Sequence, residues 1–258
     1  MDRNKSLTRV FLALAFAWMS AMCGWSQAPG GSSSVNIVST PNQEAYCRNT
    51  EVSLHAEVEV SVTYIMPGDI LCTDGSIEKL ADWPVEGKEA MGIVFYVDAT
   101  DQHGWAVSLN SQQSGGQYKM RWSTDETEDL DIPNCQHWLD GANDIDGFNN
   151  TQIMRNAGGP TEYPAAYAVD FENGWYLPAE GQLNILFSEL LVVNASLQQV
   201  AGESGVISIT SSDSHFWSST EAAANYAMTL IFGGIQQLGR VGYERKIVKK
   251  AVRQIRDF

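Results

Sequence analysis

The sequence predicts an α+β domain in which a β-hairpin comes first, helices follow, and a group of short strands ends the chain. Met91–Val97 is a continuous apolar and β-branched run, and Trp105–Leu109 returns after a polar turn, a pattern typical of a hairpin. Apolar residues recur at helical spacing after Pro178, and short strand-like segments separated by glycines follow Phe216. Because helices and strands are segregated along the chain, the fold class is α+β, and we expect the last strand to pair beside the first.

Two helices and a small antiparallel sheet are expected after the hairpin. The first helix starts near Thr151, with Asn150 as its candidate N-cap. The second follows Pro178, because proline suits the first turn of a helix, and it either continues or breaks near Val193. Its apolar positions are Leu183, Leu186, Phe187, Leu190 and Leu191.

Composition limits the classes of function. The chain has 258 residues, and 44% of them are hydrophobic, which is enough for an ordinary packed core. The formal net charge of −15 argues against a nucleic-acid partner, because phosphates require a basic surface. The polar and acidic stretch from Ser111 to Pro133 predicts a long surface loop.

The first residues are typical of an export signal. Three basic residues precede the apolar run Val10–Met22, which is short for a membrane span, and we expect cleavage between Ser26 and Gln27. Lipid anchoring at Cys23 is the weaker alternative, because the bulky Met22 stands where a small residue is preferred. No later apolar stretch is long enough for a transmembrane helix.

The chain therefore divides into four expected segments. Residues 1–26 are the signal peptide, and 27–34 form a linker rich in Gly and Ser. Residues 35–67 predict a short β extension resembling an immunoglobulin-like remnant, because apolar and polar side chains alternate at period two from Glu51 to Val62. Residues 68–258 form the main domain. Cleavage leaves Cys47, Cys72 and Cys135, so the sequence allows a Cys47–Cys72 disulfide or three buried thiols.

Seven segments follow one another along residues 68–258. They are Gly68–Ser76, Gly92–Val97, Asp146–Thr151, Trp175–Pro178, Val193–Leu197, Trp217–Glu221 and Val252–Arg253. In this order they resemble a bacterial C-type-lectin-like domain, domain-of-unknown-function family 1566, and also the C-terminal domain of a collagen-like bacterial adhesin. The resemblance implies a C-type-lectin-like fold in a secreted or surface setting, without implying an agreed activity.

The residues needed by the active or calcium-binding relatives of this fold are absent. Formylglycine-generating enzymes use two cysteines late in the fold, whereas no cysteine follows Cys135. Calcium-dependent lectins use Glu-Pro-Asn or Gln-Pro-Asp segments, and Ile132-Pro133-Asn134 lacks the first ligand. His55, His103, His137 and His215 are scattered, and no nucleophile elbow accompanies them. We expect no catalysis, no cofactor and no bound metal.

An oxygen-rich run lies before the first helix. It contains Asp140, Asn143, Asp144 and Asp146, but its spacing does not match an EF-hand. We interpret it as a turn whose side chains cap the following helix. Trp175 and Trp217 lie in fold-defining segments, so a core role is favoured over stacking on a sugar.

The candidate binding surface lies between Glu221 and Glu244. Tyrosine, asparagine and arginine are frequent in recognition surfaces, and six such polar side chains stand here among glycines: Asn225, Tyr226, Gln236, Gln237, Arg240 and Tyr243. An ordinary solvent-facing sheet is the alternative. The sequence favours a secreted or surface non-catalytic module that binds an extracellular glycan or protein. A structural component of a surface assembly is the alternative, and a hydrolase with an unrecognised site is favoured least.

Overall fold

The computed structural model describes residues 64–100, 102–113, 116, 118–127, 129–132, 135, 138–201, 215–232 and 240–258, with the backbone alone at Trp138, Leu139 and Arg240. The expected signal peptide, the linker, Cys47 and the β extension up to residue 63 lie outside this part of the chain. The described residues belong to one unit, Tyr64–Phe258.

Ten strands and five α-helices make up the described fold. The strands are β1 (Ile70–Cys72), β2 (Ile77–Glu78), β3 (Ala90–Val97), β4 (Gly104–Ser108), β5 (Lys119–Arg121), β6 (His215–Ala223), β7 (Tyr226–Ile231), β8 (Arg240–Arg245), β9 (Lys249–Ala251) and β10 (Ile255–Asp257). The helices are α1 (Trp138–Gly141), α2 (Gly147–Ala157), α3 (Pro164–Tyr167), α4 (Glu180–Ser188) and α5 (Leu190–Ala201). The α+β class is confirmed, and the described part has more helices than the two expected.

The strands form two sheets rather than the one small sheet expected. The first has the order β10-β4-β3-β1-β2, and the second has the order β5-β9-β6-β7-β8. The predicted hairpin is confirmed as β3 and β4, with Ile93 opposite Val107. The terminal strand β10 shares their sheet as expected, but it pairs with β4, where Ile255 lies opposite Val107, and not with the first strand.

The chain end joins the two sheets. Strand β9 lies in the second sheet and β10 in the first, and the segment between them is buried. In that segment Arg253 is 2% exposed, and its guanidinium donates to the carbonyl oxygens of Ser108 (3.0 Å) and Leu109 (2.8 Å) at the end of β4. Burial lowers the pKa of Arg253 to about 9. Arg253 thereby holds the segment between β9 and β10 against the first sheet.

The main core lies between both sheets and the helix pair α4–α5. It joins Ile93 and Phe95 of the first sheet to Phe216 and Leu230 of the second, with Leu183 of α4 among them. A second core covers the opposite face of β6 with residues of α2, α3 and β5, and Trp217 and Trp122 are its largest members. Strand β6 is consequently buried on both faces, as its burial pattern shows.

Three predictions about local structure are wrong: the start of one helix, the break in another, and a surface loop. Helix α2 begins at Gly147, so Asn150 lies inside it and not at its N-cap. The break in the second helix falls at Glu189 instead of Val193. The expected surface loop before Pro133 contains β5 and the fully buried Trp122, because that stretch covers the second core.

The bend between α4 and α5 is sharp. Within the described residues no single helix is long and apolar enough to cross a membrane, while α4 and α5 reach the required length and composition only as a pair bent by 78°. Apolar side chains of both helices line the main core, including Leu186 and Leu197.

Cys72 and Cys135 are both buried in this fold. Cys47, the partner of Cys72 in the disulfide that the sequence allowed, lies outside the described residues. Burial raises the pKa of each thiol above its usual value. Such thiols behave as small apolar side chains.

We predict that Trp217→Ala lowers the free energy of unfolding by about 3–5 kcal/mol, because it empties a buried indole site. Trp217 is fully buried, and its Nε1 donates to the carbonyl oxygen of Met120 at 2.9 Å. Urea unfolding measures the change. Leu191→Ala is the control, since Leu191 is 80% exposed and should change stability by no more than about 0.5 kcal/mol. Equal losses in both variants would contradict the assignment of Trp217 to the core.

Candidate functional site

The predicted binding residues fall on a regular hairpin at the edge of the second sheet. Strand β8 is the edge strand, and in its pairing with β7 Tyr226 lies opposite Arg245 and Met228 opposite Tyr243. Residues directly opposite each other on paired strands share a face of the sheet, and so do residues two apart on one strand. Tyr226, Tyr243 and Arg245 therefore lie on the same face of the second sheet. With the adjoining turn residue Asn225 they form what we call the tyrosine surface.

Two aromatic rings dominate the tyrosine surface. The rings of Tyr226 and Tyr243 meet edge to face, with centroids 5.5 Å apart at 86°. Tyr243 is 60% exposed, whereas Tyr226 is partly covered. This arrangement offers a rigid aromatic area to solvent, with two hydroxyl groups that can donate or accept hydrogen bonds.

The Tyr226 ring rests on a small apolar floor. Cys135, Ala222 and Met228 form a buried cluster, and Tyr226 and Val241 pack against it. The cluster brings together β6, β7 and the segment before α1. Since the floor is buried, Tyr226 is positioned by packing and not by a loop alone, and its ring contacts that of Tyr243.

One ion pair fixes the outer end of β8. Arg245 donates from Nε to Oε1 of Glu126 at 2.7 Å and from Nη2 to Oε2 at 2.5 Å. This bidentate geometry orients the guanidinium and ties the acidic loop to the strand. The Arg245 side chain remains 54% exposed, so it contributes charge to the tyrosine surface, and solvent screens its attraction to Glu126.

A buried ion pair lies beneath the turn that carries Asn225. The side chains of Lys246 and Glu221 are 1% and 0% exposed, and their charged groups contact each other. Glu221 Oε2 also accepts from the backbone N–H of Leu130 at 3.0 Å, and the Lys246 ammonium lies 4.7 Å from the ring centre of Trp122. Burial raises the pKa of Glu221, and the Lys246 ammonium opposes that rise. The backbone N–H of Lys246 donates to Asn225 at 3.1 Å, which links the pair to the tyrosine surface.

The structure brings some of the predicted site residues together and separates one of them. Asn225, Tyr226 and Tyr243 meet on the tyrosine surface. Arg240 lies opposite Ile231 at the far end of β8, about 17 Å along the strand from Arg245. Gln236 and Gln237 lie outside the described residues. Tyr226 and Tyr243 stand on the paired strands β7 and β8.

Sequence reasoning missed Arg245 and its partner Glu126. Period-two alternation from Val241 through Tyr243 would have placed Arg245 on the tyrosine face, once the stretch was assigned to a strand. Glu126 carried no comparable signal, because 119 residues separate it from Arg245 in the sequence.

The other sequence candidates have structural roles. Trp175 and Trp217 are 5% and 0% exposed, which confirms their place in the core. His215 Nδ1 lies 3.2 Å from Lys250 Nζ, and burial, followed by the lysine charge, lowers the histidine pKa. His55 and His137 lie outside the described residues.

The oxygen-rich run does not cap α2 through its side chains as expected. Asp146 occupies the N-cap position without a side-chain hydrogen bond to the helix. Asp144 instead accepts from Thr220 Oγ1 at 2.7 Å and from Asn150 Nδ2 at 2.9 Å, so it connects the run to β6 and α2. Among the described residues, no three His, Cys, Asp or Glu side chains are grouped closely enough to hold a metal ion.

We predict that Lys246→Met lowers the free energy of unfolding by about 3–5 kcal/mol, because it leaves the Glu221 carboxylate buried without its partner. Adding Glu221→Gln to Lys246→Met should restore a large part of that loss, since the buried charge is then gone. Denaturant unfolding of both single variants and the double variant completes the cycle. Additive losses would contradict the pairing.

Comparisons with known proteins give one informative likeness. No family model matches the chain, and no curated protein matches it. A fimbrial protein from Bacteroides ovatus ATCC 8483, known from its crystal structure, is similar in fold, with a TM-score of 0.55 and 17% sequence identity over 75% of this chain. The match covers 49% of the fimbrial protein, so this chain spans about half of its length. The likeness shows that this mixed α+β architecture occurs in a bacterial surface-appendage protein.

Proposed function

We propose that the chain is an exported, non-catalytic component of a bacterial surface assembly, in which the described domain serves as a packing unit. The observation that carries the proposal is the similarity of its fold to a fimbrial protein. The signal-like N-terminus supports export of the chain. The sequence favoured ligand binding first, and the fold similarity supports the assembly alternative better.

For the finer classification we propose a C-type-lectin-like domain related to family 1566. Three features support it. The hairpin β3–β4 precedes the helices, the chain end returns to the sheet that contains the hairpin, and the segment Trp217–Glu221 forms part of the doubly buried strand β6. Similar folds serve unrelated functions, so this classification adds a fold without adding an activity.

The assembly proposal predicts that the chain leaves the cell surface together with sheared appendages. Cells of the bacterium that encodes it are sheared, the released fibres are sedimented, and the chain is detected by antibody in the pellet and by immunogold labelling on the fibres. A cytoplasmic enzyme, assayed in parallel, controls for lysis. Recovery of the chain solely as a soluble monomer, with no label on fibres, would overturn the proposal.

A second function, recognition of an extracellular ligand, is favoured by the tyrosine surface. Tyr243 is 60% exposed on an edge strand, and Tyr226 and Arg245 flank it. Tyrosine and arginine supply most of the energy of many interfaces, because they offer large contact areas together with hydrogen bonds. A glycan or a protein could occupy such a surface.

We predict that Tyr243→Ala combined with Arg245→Ala weakens binding to a ligand captured from an array of glycans and extracellular proteins by at least about tenfold. The melting temperature should stay nearly unchanged, because both side chains are largely exposed. Tyr118→Ala is the matched control, since Tyr118 is also 60% exposed and precedes β5, at the opposite edge of the same sheet. Unchanged affinity in the double variant, or an equal loss in the control, would exclude the tyrosine surface as the ligand site.

A further inference from the structure

Glu180 is a buried carboxyl group that lacks a cationic partner. It is the first residue of α4, and its side chain is fully buried. Within the described part of the chain it forms no ion pair. A buried carboxyl group without a cation beside it keeps its proton more readily than one in water, because burial disfavours the charged form. The surroundings of Glu180 therefore have to suit a neutral group.

The neighbouring hydroxyl of β6 suits the protonated carboxyl. Ser218 Oγ lies beside the Glu180 carboxyl, although the two groups are not in regular hydrogen-bond geometry. Its one hydrogen is donated to the carbonyl oxygen of Met228 at 3.0 Å, and its oxygen accepts from the backbone N–H of Thr220 at 3.3 Å. The second lone pair of Ser218 can accept from a protonated carboxyl, whereas no hydrogen is left to donate to an ionised one.

The titratable groups around Glu180 are acidic. Asp144, in the loop before α2, acts on Glu180, and both carboxyl groups act on the thiol of Cys135. Asp140 of α1 acts on the same thiol. The strands β3 and β7 and the helix α5, which also pack on α4, contain no charged residue. None of these elements supplies a positive charge that would stabilise the ionised form.

Burial is the main reason that Glu180 keeps its proton, and the charge of Asp144 adds to it. Together they raise the pKa of Glu180 from 4.5 to about 8. Lys246, which follows β8, does not offset this effect, because it is already paired with Glu221 of β6. The Glu180 carboxyl is therefore neutral in the folded domain at pH values at which an exposed glutamate is ionised.

The loop before α2 is packed tightly on the first turn of α4. We call residues 141–146 the strap. The backbone N–H of Gly181 donates to the carbonyl oxygen of Asp144 at 2.8 Å. A Cβ atom at position 181 would lie 2.5 Å from that oxygen and 2.6 Å from the carbonyl oxygen of Ala142, so glycine is required for this close approach. The strap thus lies directly over the residue that follows Glu180.

We propose that the strap is a pH-sensitive device, which the neutral Glu180 allows to close on α4 and which loss of the Glu180 proton releases. With the strap closed, ionisation would place a second buried negative charge near Asp144, with no cation between them. Release of the strap admits water to both carboxylates, and water screens their repulsion. The open strap and the ionised Glu180 therefore favour each other.

The strap also covers part of the apolar floor beneath Tyr226. A Cβ atom at Gly141, the first residue of the strap, would lie 2.1 Å from Sδ of Met228 and 3.4 Å from Cγ of Glu180. Met228 belongs to the buried cluster on which Tyr226 packs. Release of the strap would thus uncover Met228, so the proton on Glu180 also bears on the support of the tyrosine surface.

The pH range of the device follows from the direction of the pKa shift. Because the pKa of Glu180 is raised from 4.5 to about 8 on folding, the stability due to its proton is complete below about pH 4.5 and is lost as the pH rises to about 8. Between these values the closed strap holds one proton more than the open strap. The opening equilibrium should therefore increase about tenfold per pH unit and level off above about pH 8.

The test is hydrogen–deuterium exchange of the purified mature chain, followed by mass spectrometry, from about pH 5.5 to about pH 8.5. Glu180→Gln is the matched variant, because its amide keeps the shape of the side chain and does not ionise. Dividing the exchange rate of the parent by that of the variant at each pH removes the intrinsic pH dependence of exchange. For peptides from the strap and the first turn of α4, this ratio should rise about tenfold per pH unit up to about pH 8.

Two controls accompany the exchange measurement. Peptides from the hairpin β3–β4 should give a nearly constant ratio, because the strap does not contain them. Glu86→Gln, which changes an exposed carboxylate, should exchange like the parent at every pH. In thermal unfolding, Glu180→Gln should melt about 3–10 °C above the parent at about pH 8.5, and the difference should shrink towards pH 5.5.

An exchange ratio for the strap that stays constant over this range would overturn the proposal, because opening would then release no proton from Glu180. An equal rise in the strap and in β3–β4 would also overturn it, since the carboxyl would then destabilise the whole domain. If Glu180→Gln fails to fold, the strap of the parent is compared with its own β3–β4 peptides, and a parallel pH dependence of the two excludes the device.

Discussion

Burial of strand β6 on both faces is the constraint on which the rest of this domain depends. Phe216 faces the core shared with α4 and α5, whereas Trp217 belongs to the core covered by α2, α3 and β5. The strand continues through polar residues, and Ser218, Ser219, Thr220 and Glu221 are all fully buried. Each of these side chains must find a partner inside the protein, because an unpaired buried polar group costs about 1–3 kcal/mol.

The partners of β6 determine how distant segments pack. Asp144 from the loop before α2 accepts from Thr220, and Asn150 from α2 donates to Ser219 at 3.3 Å. Lys246, which follows β8, pairs with Glu221. Hydrogen bonds of one strand therefore hold the loop, the helix and the edge hairpin together. Glu180 lies next to this network, because its backbone N–H donates to Thr220 Oγ1 at 2.9 Å.

The sequence predicted the elements that local patterns encode and missed those that depend on long-range pairing. The hairpin β3–β4 and the helix after Pro178 follow from periodicity, and the structure has both. The sequence predicted one last strand, yet the chain end forms β9 and β10 in different sheets, and Arg253 between them donates to the end of β4. No local pattern distinguishes the buried Arg253 from the more accessible Lys249 and Arg256 near it. Likewise, the tyrosine surface followed from residue types, whereas the Arg245–Glu126 pair needed the fold.

The tyrosine surface lies at the edge of the second sheet, away from the two cores that cover β6. Strand β8 is the edge of the second sheet, and Tyr243 and Arg245 project from it without entering either of the two larger cores. Tyr226, whose ring contacts that of Tyr243, packs on the small cluster around Met228 and Cys135, and the buried pair lies beneath Asn225. Side chains on such an edge can change with little effect on folding, because they lie outside the two larger cores. The same scaffold can therefore present different surfaces at β8 while keeping one architecture, whether those surfaces contact a ligand or a neighbouring subunit.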